Sequence, residues 1–83
     1  MGRTPQPVPA ALEFGRRVRR RRHELGWSIE HLAEQCGLHW TYVGSVERGE
    51  RNLSLVNICR LARALDVNAA SLVEDLEKKV KRA

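Results

Sequence analysis

The chain holds 83 residues, with 15 Lys and Arg against 10 Asp and Glu, giving a formal charge of +5 and an isoelectric point near 10. That length fits a single core, since one domain usually spans ~100–150 residues, and it leaves too little interior to wall an enzyme pocket. The basic balance suits a polyanion, whereas no apolar run approaches the ~20 residues of a membrane-spanning helix and Met1–Ala11 lacks an apolar signal core, so a cytoplasmic protein is expected.

Residues 1–10 are expected to form a flexible arm, because Pro5, Pro7 and Pro9 favour extended backbone without regular pairing. Residues 11–83 are then the folded domain. A first helix is expected from about Ala10 to Leu25, closed by Gly26. Ser28 caps a second over Ile29–Cys36, with Leu32, Ala33 and Cys36 on one face. A third spans His39–Arg48, where Tyr42, Val43 and Val46 share a face and Gly49 ends the run. Ser54 caps a fourth, whose Leu55, Ile58, Cys59, Leu61, Ala62 and Leu65 keep helical period. Asn68 caps a fifth, running from about Ala69 into the Lys/Arg-rich tail. The expected fold is all-α, a compact five-helix bundle.

Charge is unevenly spread along this order. Residues 1–26 carry seven Arg and two Glu (+5), residues 27–49 one Arg and three Glu (−2), and residues 50–83 seven bases and five acids (+2). Like charges at i, i+3 and i+4 within Arg16–Arg22 repel one another, so that helix face is either simply solvated or relieved by a nearby polyanion. The two cysteines, Cys36 and Cys59, have no metal-ligand spacing and are expected to be small buried thiols. No nucleophile–base pair or paired acids stand out, so neither catalysis nor a cofactor is expected.

Ile29–Gly49 is the informative segment. Ala33 is small enough to let the third helix approach the second. Gly37 can take the positive φ of a sharp turn, where a Cβ would be strained. Leu38 fills the space beneath, and Val43 and Val46 turn the third helix back onto Leu32 and Ala33. Helix pairs of this spacing form a helix-turn-helix.

The stretches Gly26-Trp27-Ser28-Ile29-Glu30-His31-Leu32-Ala33 and Thr41-Tyr42-Val43-Gly44-Ser45-Val46-Glu47-Arg48-Gly49 resemble the Cro/C1-type (XRE) helix-turn-helix regulators. Ser54–Leu65 resembles that family's fourth helix, and the likeness covers about residues 14–72. The run Tyr42–Ser54 is further similar to restriction–modification controller proteins. The resemblance implies a lambda-repressor-like domain with the third helix in the major groove of double-stranded DNA.

Carried onto this chain, the reading positions are His39, Trp40, Thr41, Gly44 and Ser45. Thr41 offers a hydroxyl and a methyl, and Ser45 a hydroxyl for a base or a phosphate. Trp40 either stacks on sugars and thymine methyls or lies over neighbouring side chains. His39 either caps the helix or reads a base. Arg51 and Asn52 are implied phosphate contacts, with Arg51 also able to reach a base. Tyr42 is half core, its hydroxyl directed to a phosphate. Arg22 and Glu47 match the family's internal ion pair.

Three positions depart from the pattern. Ile29 stands where Gln often holds a phosphate, so Ser28 or the helix dipole must substitute. Arg21 stands where Leu usually packs, leaving Phe14, Val18 and Leu25 to carry that face with help from the Arg21 stem. Few reading positions are bidentate formers, which shifts specificity toward DNA shape. Arg17 is expected to touch a phosphate.

Ala69, Leu72, Val73, Leu76 and Val80 form a stripe at helical spacing that outruns the core, and the family pairs through this helix. The expected assembly is therefore a homodimer joined by Leu72, Val73, Leu76 and Val80 on a pseudo-palindromic operator. No small-molecule effector and no membrane partner is expected. An antitoxin or other protein-interaction module on the same fold is the competing reading.

Overall fold

The computed structural model describes residues 8–82, in which α1 (Pro9–Glu24), α2 (Ile29–Cys36), α3 (Trp40–Glu47), α4 (Leu55–Ala64) and α5 (Ala69–Val73) precede a 3-10 turn at Leu76–Lys79. Residues 1–7 of the expected arm lie outside the described residues. α1 opens at Pro9, one residue before the expected start at Ala10 and within the stretch assigned to the arm. Proline suits the first helical position, where its missing N–H has no partner to lose and its φ is already helical.

The expected caps are in place. Ser28 Oγ accepts from the His31 N–H, Ser54 Oγ from the Asn57 N–H and Asn68 Oδ1 from the Ala70 N–H. Phe14 and Val18 of α1, Leu32 and Ala33 of α2, Val43 and Val46 of α3, Leu61 and Leu65 of α4, and Leu72 of α5 form one buried core. Arg21 supplements it as a brace: its Nε donates to the Leu65 carbonyl at the end of α4, 2.9 Å away.

Two glycines set how closely α1 meets the end of α3. A Cβ on Gly15 would collide with the Val46 carbonyl oxygen and stand 2.6 Å from that of Glu47. A Cβ on Gly49 would stand 2.8 Å from the Leu12 Cα, at a backbone φ of +77°. Both obstacles are backbone and cannot swing aside. Gly15→Ala is therefore expected to lower stability by about 1–3 kcal/mol, the usual range of overpacking. Gly44→Ala is the control, since only the end of the Arg48 side chain stands nearby, at 3.2 Å. Thermal melts of the two variants check the contrast, and equal melting temperatures would refute it.

The fifth helix is shorter than expected. It stops at Val73; Glu74 leaves the helical region with ψ 127° and Asp75 turns left-handed at φ 64°. Arg17 holds this end in place. Its Nη1 donates to the carbonyls of Leu72 (3.3 Å) and Glu74 (2.8 Å), and its Nε to Glu13 (3.0 Å), so α1 holds the chain where it leaves α5. The tail then folds back until Leu76 packs on the core.

The thiol expectation holds for one cysteine only: Cys36 is buried and Cys59 is exposed. Cys59 lies two residues before Leu61 and so on the far side of α4 from the core. Leu55 and Val56, in the uncovered first turn of α4, are 76% and 60% exposed.

Candidate nucleic-acid interface

The outward face of the helix-turn-helix is built on α3. Gly37 ends α2 at φ 72°, Ala33 lies against α3, and Val43 and Val46 bury its inner side. From α1, Arg22 fixes the far end. Its Nε and Nη2 donate to the two Glu47 carboxylate oxygens at 2.7 and 2.9 Å, and its Nη1 to the Trp27 carbonyl at 2.8 Å. Both side chains are nearly buried. The Glu47 hydrogen bond holds the guanidinium above its ordinary pKa against the opposing effect of burial.

His39 is the N-cap of α3. Its Nδ1 accepts the Thr41 N–H at 3.2 Å and lies 2.7 Å from the Thr41 hydroxyl. A ring nitrogen that already accepts an N–H must also receive the hydroxyl proton. Thr41 Oγ1 therefore faces outward as an acceptor, beside its methyl, and suits an adenine or cytosine amino group or a thymine methyl. The exposed Trp40 ring stacks on His39, with centroids 5.8 Å apart. Trp40, Thr41, Gly44, Ile29 and Glu30 line an open cleft of about 410 Å³ whose remaining walls are Arg22 and Arg48.

Three assignments change. Ser45 is not an outward reading residue, for it is only 4% exposed. Its hydroxyl donates to the Tyr42 carbonyl at 2.7 Å and accepts from Arg51 Nε at 3.0 Å. Ser45 thus anchors Arg51, whose guanidinium also lies 5.6 Å from the Tyr42 ring centre. Tyr42 is part-buried, and its hydroxyl accepts from Asn57 Nδ2 at 3.3 Å. Arg51 is consequently held by its Nε while its terminal nitrogens make no hydrogen bond among the described residues. Asn52 and Ser28 are exposed beside this surface and beside α2 respectively.

Arg17 is the second change. Its Nε and Nη1 are committed inside the protein, so it serves as the brace for the end of α5 rather than as a free cation. The third concerns the stripe proposed on a continuous fifth helix. Leu72 is core and unavailable, Leu76 packs on the core, and only Val73 and Val80 are exposed. Apolar side chains of Phe14, Leu53, Ile58, Val73, Leu76 and Val80 line part of a cleft of about 680 Å³, whose wall is completed by the polar loop Glu50, Arg51 and Asn52.

Sequence reasoning missed Arg48. Its side chain lines the 410 Å³ cleft with Thr41 and Trp40, so a bidentate former does stand on the outward face of α3. The available signal was position: Arg48 lies four residues after Gly44 and seven after Thr41, on one helix face.

Residues 13–76 match the family model of the helix-turn-helix domain. The control protein C.BamHI of Bacillus amyloliquefaciens is 44% identical over 64 residues, covering 76% of this chain and 79% of that one. The crystal structure of the restriction–modification controller protein C.AhdI from Aeromonas hydrophila superposes with a TM-score of 0.73 at 52% identity, covering 75% of this chain and 94% of that one. SinR, a master regulator for biofilm formation solved in complex with DNA, gives a TM-score of 0.71 at 32% identity over 74% of this chain and 98% of that one. The chain belongs to the helix-turn-helix domain family, among its transcriptional regulators. Within that class its relatives include restriction–modification control proteins.

Proposed function

We propose that this protein regulates transcription by binding double-stranded DNA as a homodimer, with α3 of each copy in the major groove, and that it is a restriction–modification controller. It acts in the cytoplasm by binding alone, with no cofactor. The observation that carries the reading is the first turn of α3: Thr41 and Trp40 face outward while the buried Arg22–Glu47 pair and Ser45 hold the helix and Arg51 beneath them. Such preorganisation lowers the entropy lost on binding. The similarity to C.BamHI and C.AhdI supports the controller role.

Pairing would draw on the exposed apolar residues Leu55, Val56, Val73 and Val80, with Leu72 and Leu76 supporting them from within. A two-fold pair sets the two reading helices about 34–36 Å apart, one turn of DNA, and calls for a pseudo-palindromic operator. Cys59, three and four residues from Val56 and Leu55, serves as a reporter. Wild type is expected to sediment as a dimer at tens of micromolar, and its Cys59 to react more slowly with a thiol reagent as concentration rises. Leu55→Glu should run as a monomer with fast Cys59 labelling. Monomeric sedimentation of both, with equal DNA binding, would remove the dimer from this account.

A further inference from the structure

Arg48 closes α3 as its C-cap, and its side chain lies back along the helix over Gly44 toward the cleft beside Thr41 and Trp40. Gly44 permits this course, because a side chain there would begin 3.2 Å from Arg48 Nη1. The guanidinium already holds an anion. Its Nε and Nη2 donate to the two carboxylate oxygens of Glu50, at 3.0 and 3.3 Å. Neither partner is enclosed: the side chains are 61% and 50% exposed. Unlike Arg22–Glu47, then, this pair is open to exchange, and an exposed pair holds by only about 1 kcal/mol or less.

Resting on the DNA-binding reading above, we infer that Arg48 is a further DNA-contacting residue and that Glu50 is its built-in competitor. The Glu50 carboxylate occupies the two donors that would otherwise take a matched pair of DNA acceptors. Those acceptors are the O6 and N7 of a guanine edge or two oxygens of one phosphate, both suited to a planar guanidinium fork. Binding exchanges one acceptor pair for the other. The free Glu50 carboxylate then remains beside the polyanion and repels it. Glu50 thereby lowers affinity most for duplexes that offer Arg48 an acceptor pair, since only there is the exchange made and the carboxylate freed, and so it restrains how strongly they are preferred. It is a specificity-determining residue that works through Arg48.

The test is a double-mutant cycle on the full chain, read as affinity for a duplex selected by the wild type from a random pool and for a scrambled duplex. Glu50→Gln should tighten binding about three- to five-fold, the scale of an exposed charge pair. Arg48→Ala should weaken the selected duplex about tenfold, the scale of one lost bidentate contact. In the Arg48→Ala background, Glu50→Gln should recover clearly less than it gains in wild type. An equal gain in both backgrounds would overturn the inference, since Glu50 would then act only by repelling DNA at a distance. No gain in wild type would overturn it as well. Repeating the selection with Arg48→Ala separates the two acceptors: one relaxed position marks a guanine, and an unchanged preference marks a phosphate. Failure of wild type to bind any duplex would strike the parent reading itself, visible before the variants are compared.

Discussion

Glu47→Ala is expected to lose about 3–5 kcal/mol of folding stability, because it strands a nearly buried charge. Arg22 donates twice to Glu47, at 2.7 and 2.9 Å, and among the described residues its one other partner is the Trp27 carbonyl, bonded by Nη1. Without the carboxylate the guanidinium stays in a place where water replaces its partner poorly. A domain this small has a total stability of roughly 0.05–0.15 kcal/mol per residue, so the variant should be partly unfolded at room temperature. Urea denaturation gives the number. Replacing both partners by Met should recover much of the loss, since paired apolar side chains leave no orphaned charge. A loss below about 1 kcal/mol for Glu47→Ala, the range of an exposed pair, would show that the junction of α1 and α3 does not depend on this contact.

The same pair has a functional consequence. Glu47 ends α3, and Gly15 of α1 lies directly on the carbonyls of Val46 and Glu47. Pivoting of α3 about that junction would displace Thr41 and Trp40 at its other end. The pair is thus read as setting the angle of the reading surface as well as the stability of the fold.

Much of this was legible from the chain alone. Gly26, Gly37 and Gly49 mark the helix ends, and all three adopt positive φ. Ser28, Ser54 and Asn68 each accept a backbone N–H at the start of the helix they were expected to cap. The helix-turn-helix spacing fixed which face of α3 is inside. What periodicity does not report is how far neighbouring elements extend. Leu55 keeps step with the core stripe of α4, yet its turn has nothing over it, and Cys59 faces away altogether. Ala69–Val80 has helical spacing throughout, but the spacing is silent about a side chain fifty-seven positions away: Arg17 takes the Glu74 carbonyl and the helix ends there.

The candidate site shows the same division. Outward Thr41 and Trp40 follow from the inward Val43 and Val46, and the capping role of His39 follows from its place after Gly37 and Leu38. Ser45 looked like a reading residue because its type suits DNA, but its hydroxyl is used between Tyr42 and Arg51. Arg48 received no role from the sequence beyond ending the third helix, yet the bare backbone of Gly44 lets its arm reach the cleft beside Thr41 and Trp40. Residue type announces chemistry, whereas only the packed structure allots each donor to a partner.

On the proposed function, this surface takes the charged backbone of duplex DNA while reading its bases. Arg51 presents its terminal nitrogens beside the exposed Asn52, and Arg48 and Thr41 stand over the cleft. Two such surfaces in a dimer would neutralise about 6–10 phosphates, and each neutralised phosphate releases condensed counterions, so affinity must fall steeply as salt rises. The decisive measurement is fluorescence anisotropy of a labelled, wild-type-selected duplex titrated with the protein at ~50 and ~200 mM salt, beside a scrambled duplex. Affinity for the selected duplex is expected to drop about 10³–10⁵-fold between the two salts, and at either salt to exceed that for the scrambled duplex by at least about 10³-fold. Binding that ignores salt, or that treats the two duplexes alike, would contradict the claim.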